Sequence, residues 1–173
     1  MPSFIDPKNI LKQIGLKIDS AAIDFGSGSG GWALPLARML EEGKVLAVDV
    51  QQEPLSSLQS KAKIANLKNI ESILADIEEG AASIENNFAD LVLMTNLLFQ
   101  VENKEAVFKE AKRVLKAGGK VLVVDWKPGA LMGPKTSVPS EDEIKQLAKE
   151  SGFALVEQLE AGEYHFALIF KKQ

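Results

Sequence analysis

The 173-residue chain contains no cysteine, which removes disulfides, thiolate metal sites and cysteine nucleophiles together. Histidine occurs once, at position 165, and no metal site is expected. No apolar run approaches the roughly 20 residues that a membrane span requires. The opening MPSFIDPKN has no basic stretch followed by an apolar core, so it does not read as a secretory signal. Excess positive charge is also missing. Twenty Lys and Arg face 24 Asp and Glu, a net charge of −4, which disfavours a broad nucleic-acid footprint. Neither an internal repeat nor a low-complexity tract stands out. These absences fit a cytoplasmic protein whose partner is a small molecule, as a monomer or homodimer, with the whole chain 1–173 forming one domain.

What is present is an alternation of short apolar runs with amphipathic segments, the mark of a parallel sheet flanked by helices. Residues 7–15 read as a leading helix, with Asp6 as its cap, Pro7 in its first turn and Gly15 at its end. Strands are expected at 21–25, 44–50, 70–76, 89–95 and 120–126. Helices are expected at 30–42, 53–66 and 103–116. The KAGGK stretch at 116–120 is expected to stop the last of these, with glycine as a left-handed cap. Ser140 and Glu143 form a capping box for a helix reaching about Ser151. Two further strands, 153–160 and 164–171, are joined by a short turn at Gly162, hence antiparallel. The result is an α/β, doubly wound sheet, mostly parallel, with one reversed strand near its end.

In such a sheet, ligands bind beyond the carboxyl ends of the strands. Asp24, Asp49, Asp76 and Asp125 stand at four of those ends and Asn96 at a fifth. The segment DFGSGSGG, 24–31, follows the first strand and fits two glycine patterns. GxGxxG at Gly26, Gly28 and Gly31 suggests a dinucleotide; DxGxGxG at Asp24, Gly26, Gly28 and Gly30 suggests another ligand. The glycines permit close backbone approach, and the helix that follows offers free N–H groups to a carboxylate or phosphate. Asp24 discriminates, because a carboxylate there would repel a pyrophosphate and attract an ammonium or sulfonium group. Asp49, 21 residues after Gly28, suits ribose hydroxyls, and Asp76 can accept from an exocyclic amine such as that of adenine. S-adenosylmethionine (SAM) presents all of these groups.

At DFGSGSG (24–30), VLAVD (45–49), ADI (75–77), ADLVLMTN (89–96) and RVLKAGGKVLVVD (113–125), the chain resembles the class I SAM-dependent methyltransferases. The resemblance runs over about residues 8–171 and is nearest to the small-molecule branch that includes quinone-biosynthesis and arsenite methyltransferases. It implies a Rossmann-like seven-stranded sheet with an antiparallel last strand, SAM as donor and S-adenosylhomocysteine as product. By position, it puts Asp24, Gly26, Ser27, Gly28 and Gly30 at the methionine part. Asp49 and Val50 fall at the ribose, Asp76 and Ile77 at the adenine, and Asn96 and Leu97 beside the methyl group. The absence of cysteine excludes the arsenite chemistry. Asn96 is followed by Leu97, Leu98 and Phe99, so the asparagine-proline-proline-aromatic signature of amino-group methylation is missing. Quinone-type members carry a larger insertion where this chain has only 127–139 and one helix.

On the acceptor side, Phe99, Asp125, Trp126, Lys127 and Tyr164 are candidate substrate contacts, with Gln100 beside them. Asn96, Tyr164 and His165 are candidate catalytic groups, although a solitary histidine equally suits a structural place. Residues 127–139, with three prolines and two glycines, are expected to cover the acceptor in part as a lid. Phe4 and Ile5 are expected to close the other side. Two alternatives remain at this stage: a NAD-linked oxidoreductase and a SAM-binding protein without catalysis.

Overall fold

The computed structural model describes residues 5–173. Helix α1 (Pro7–Gln13) begins as its sequence dictates: the Asp6 carboxylate accepts from the Lys8 amide at 3.0 Å, and Pro7 fills a first-turn position that needs no N–H. Strand β1 (Ala21–Phe25) leads through the glycine loop to α2 (Ala33–Met39). That helix is shorter than the expected 30–42, because the chain turns through 26–32 before helical geometry starts, and Pro35 lies in its first turn. Then follow β2 (Lys44–Asp49), α3 (Gln52–Ile64), β3 (Ile70–Leu74), β4 (Ala89–Thr95), α4 (Lys104–Val114), β5 (Leu115–Trp126), α5 (Glu141–Glu150), β6 (Phe153–Leu159) and β7 (His165–Lys172). Both capping-box bonds of α5 are present, Glu143 amide to Ser140 Oγ at 3.2 Å and Ser140 amide to Glu143 Oε2 at 2.6 Å.

The seven strands lie in the order β3-β2-β1-β4-β5-β7-β6. All neighbours are parallel except β7, which runs antiparallel to both β5 and β6. The strand order reverses between β1 and β4, which creates a crevice at their carboxyl ends. Apolar side chains fill both faces. Phe25, Val48, Met94, Val123 and Phe166 pack on one face with α4 and α5; Ala22, Leu93, Val124 and Ala167 pack on the other with α1 and α2. A sheet so covered explains why the central strands read as nearly unbroken apolar runs.

Two expectations need correction. KAGGK does not cap α4. That helix ends at Val114 with Leu115 already extended, and the glycines form an irregularity in β5, where pairing jumps from Ala89–Leu115 to Leu91–Lys120. Gly118 takes φ +72° there. Tyr164 is not in β7, which starts at His165; it belongs to the link from β6. Ile5 is half-buried against the α1–α2 side of the core, whereas Phe4 lies outside the described residues.

Candidate active site

The glycine loop is pinned by its own backbone and by β2. The Ser27 amide donates to Val48 O at 2.9 Å and the Gly30 amide to Ser27 O at 3.0 Å. The Gly28 amide donates to Asp49 Oδ2 at 2.8 Å, and the Gln51 amide to the other oxygen, Oδ1, at 3.0 Å. Asp49 thus holds the loop, yet its carboxylate retains lone pairs for hydroxyl donors. Gly26 has φ +69°, and a Cβ there would come within 2.8 Å of Leu97 Cδ1. Glycine suits both this left-handed backbone and the close approach of the loop after β4.

Asp24 is 1% exposed, and neither of its oxygens has a hydrogen bond of good geometry. Burial and the nearby Asp49 carboxylate push its pKa up to about 8, against a smaller opposing pull from the Ala33 amide. A carboxyl group in that position is neutral at pH 7 until a cation reaches it. Asn96 follows β4 in the left-handed region, φ +51°, which asparagine tolerates. Its amide donates to Val124 O at 2.7 Å, its carbonyl accepts from Gln100 Nε2 at 2.6 Å, and its side-chain Oδ1 is buried without a partner.

Among the described residues, the buried side chains with unpartnered polar atoms are Asp24, Ser27, Ser72, Asn96 and His165. All but Ser72 lie at the carboxyl edge of the sheet. Buried polar groups are nearly always satisfied, so such a cluster points to a ligand that completes it.

Beside the cluster is a cleft of about 410 Å³. Seven of the expected cofactor residues line it: Gly26, Gly28, Asp49, Val50, Asp76, Ile77 and Leu97. Asp76 Oδ1 accepts from the Glu78 amide at 2.9 Å, which turns the chain beyond β3, and Ile77 is buried beneath. Asp24, Ser27, Gly30 and Asn96 are not in its lining. Gln51, Pro54, Glu78 and Val101 line it but escaped the sequence reading. Their signal was only that they follow strand ends within a few residues. A larger hollow of about 960 Å³ lies at the amino ends of β2 and β3, among Arg38, Lys44, Lys68 and Glu71. It is on the wrong edge of the sheet for the strand-end carboxylates.

The candidate acceptor residues gather where β5 pairs with β7. Register sets Trp126 opposite His165, and their rings stand 4.0 Å apart at 37°. The Lys127 amide donates to Tyr164 O at 2.8 Å, and Lys127 Nζ to Gly162 O at 3.3 Å. Burial, and then Lys127, lower the His165 pKa, so the imidazole is neutral at pH 7, and its Nε2 has no partner. Asp125 is fully buried, and burial raises its pKa to about 6. It accepts from the Leu98 amide at 3.0 Å and the Trp126 amide at 2.8 Å, so it ties the loop after β4 to the end of β5. Phe99, in that loop, is half-buried.

A family profile described as "Methyltransferase domain" matches residues 23–123, from β1 through most of β5. The chain belongs to the SAM-dependent methyltransferases. A demethylmenaquinone methyltransferase of Bacillus cereus is 30% identical over 127 residues, 73% of this chain and 53% of that protein. The chain therefore spans about half the length of the curated relatives it matches. Among solved structures, a SAM-dependent methyltransferase from Aquifex aeolicus superposes with a TM-score of 0.90 at 27% identity, covering 98% of this chain and 91% of that one. The [4+2]-cyclase SpnF shares the fold alone: TM-score 0.82, 14% identity, 95% and 80% coverage. The dinucleotide reading of the glycine loop finds no support in this family. The methyltransferase family implies SAM as cofactor, and the residues fit it: an unpaired buried carboxyl for a cation, a strand-end carboxylate for hydroxyls and an apolar-walled cleft beside them.

Proposed function

We propose that this protein transfers a methyl group from SAM to a small, planar acceptor by direct displacement. The observation that carries the reading is the cluster of unpartnered buried polar groups, Asp24, Ser27 and Asn96, beside the Asp49–Ile77 cleft. SAM supplies a methyl carbon already activated by its sulfonium. The protein's work is then positioning. Asp24 would pair with the ammonium of the methionine part, Asp49 would accept from the ribose, and Asp76 and Ile77 would hold the adenine. Asn96 and Leu97 would border the methyl end. S-adenosylhomocysteine would be the product.

The acceptor binds against the tilted stack of Trp126 and His165, an aromatic surface suited to a ring, with Phe99, Lys127 and Tyr164 around it. Asp125 positions that surface through its bonds to Leu98 and Trp126. The neutral His165 can take a proton from an acceptor hydroxyl. A quinone-type ring is the acceptor class favoured by the names of the relatives. The segment 127–139, whose Leu131 and Met132 are 90% and 62% exposed, folds over the acceptor as a lid. None of the described helices is long and apolar enough to cross a membrane. Incubation with methyl-labelled SAM and a panel of reduced quinones, hydroxylated aromatics, nucleic acid and protein tests the reading. Label in one of them supports it; labelled products only from nucleic acid or protein would overturn the small-molecule acceptor.

A further inference from the structure

The adenine side of the cleft is the loop between β3 and β4, residues 75–88, which contains neither helix nor strand. A polar loop that must hold Asp76, Ile77 and Glu78 in place needs outside support. Helix α4 provides it at two points. At its start, the Asn103 amide donates to Glu78 Oε1. Two turns further along, Glu110 and Arg113 face the loop three residues past Glu78. Glu110, a carboxylate only 8% exposed, accepts from the Ala81 amide at 2.9 Å and from Arg113 at 2.6 and 2.8 Å. The Arg113 guanidinium continues to Ile84 O at 2.8 Å, Asn86 Oδ1 at 2.7 Å and Ala81 O at 3.1 Å. The Asn87 amide closes the set on Arg113 O at 3.0 Å.

We infer that Glu110 and Arg113 are positioning residues for the adenosine half of the donor, setting its affinity through the loop that carries Asp76, Ile77 and Glu78. The inference rests on the reading of that cleft as the SAM site. The guanidinium fork serves it geometrically, since its donors are fixed in one plane and grip three separate points of the loop at once. Gly80, at φ +91°, is part of the same fit. A Cβ there would stand 3.5 Å from Glu110 Oε2, so the loop passes directly over the carboxylate.

Calorimetry on the full chain, well below its melting temperature, separates this role from plain stability. SAM and 5′-methylthioadenosine, which keeps the adenosine but lacks the amino acid, are the two probes. Arg113→Ala is expected to weaken both by the same factor, about tenfold, the worth of a single charged hydrogen bond. Asp24→Asn, in contrast, weakens SAM and leaves 5′-methylthioadenosine unchanged. If Arg113→Ala does not fold, Asn86→Ala and Glu110→Gln each weaken the contact, and smaller equal losses for the two probes are expected. A lowered melting temperature with unchanged affinities, or a loss confined to SAM, overturns the inference. A wild-type protein that binds neither probe overturns the cofactor reading itself.

Discussion

Asp24 is the residue on which charge, burial and ligand binding meet. Burial and the Asp49 carboxylate hold its pKa at about 8, far above the ordinary aspartate value of 3.8. The unfolded chain therefore releases this proton near pH 4, while the folded chain keeps it until about pH 8. Because the folded state binds more protons over that window, the contribution of Asp24 to stability falls as pH rises from about 4 to 8 and levels off above. Asp125, raised to about 6, acts in the same direction over the lower part of the window. Denaturant unfolding at pH 5 and pH 8 should show Asp24→Asn less sensitive to this change than the wild type. The same substitution should weaken SAM, because an amide cannot neutralise the ammonium. Equal pH sensitivity of the two proteins would mean that Asp24 is ionised when folded. Asp49 accepts from the Gly28 and Gln51 amides and keeps lone pairs for further donors. Asp49→Ala should weaken SAM by about 1–3 kcal/mol, the cost of leaving ribose hydroxyls unpaired.

At the scale of elements, the loops after β1 and β4 must pass each other closely, and Gly26 is where they do. Gly26→Ala combines a left-handed φ, worth about 1–2 kcal/mol for a residue with a Cβ, with a contact at 2.8 Å to the flexible end of Leu97. It should fold with a lowered melting temperature and bind SAM poorly. Gly43→Ala is the harsher change, because its Cβ would meet the backbone oxygen of Ser20 at 2.0 Å. Soluble yield and circular dichroism of the two variants check this ranking; a well-folded Gly43→Ala alongside an unfolded Gly26→Ala would contradict it. The 127–139 segment offers a separate test. If it covers the acceptor, proteolysis near Leu131 should slow when SAM and acceptor are both present, and unchanged cutting would count against a lid.

For the molecule as a whole, the fold was legible wherever the signal is local. Periodic apolar residues marked the strands, Asp6–Pro7 and Ser140–Glu143 marked helix starts, and the short link at Gly162 required the antiparallel return. The carboxylates at the carboxyl edge were legible because strand ends are sequence-local and all parallel strands end on one side, and Asp49 and Asp76 do line one cleft there. What escaped was decided by partners distant in the chain. KAGGK reads as a helix stop until β4 is beside it to pair with both sides of a bulge. Asp125 reads from the sequence as a candidate substrate contact at a strand end, and its bond from the Leu98 amide, 27 residues away, exists only in the fold. Arg113 reads from the sequence only as the first residue of RVLKAGGKVLVVD, and its contacts with Ala81, Ile84 and Asn86 exist only in the fold. The proposed acceptor surface is also of this kind, since Trp126 and His165 meet only through β5–β7 pairing. The central claim, that the strand-end cleft is a SAM site, is tested most directly by titrating the full chain with SAM and with NAD. One SAM per chain, bound more tightly than NAD and weakened by Asp49→Ala, is the expected result; NAD bound more tightly than SAM, or no binding of SAM, would contradict it.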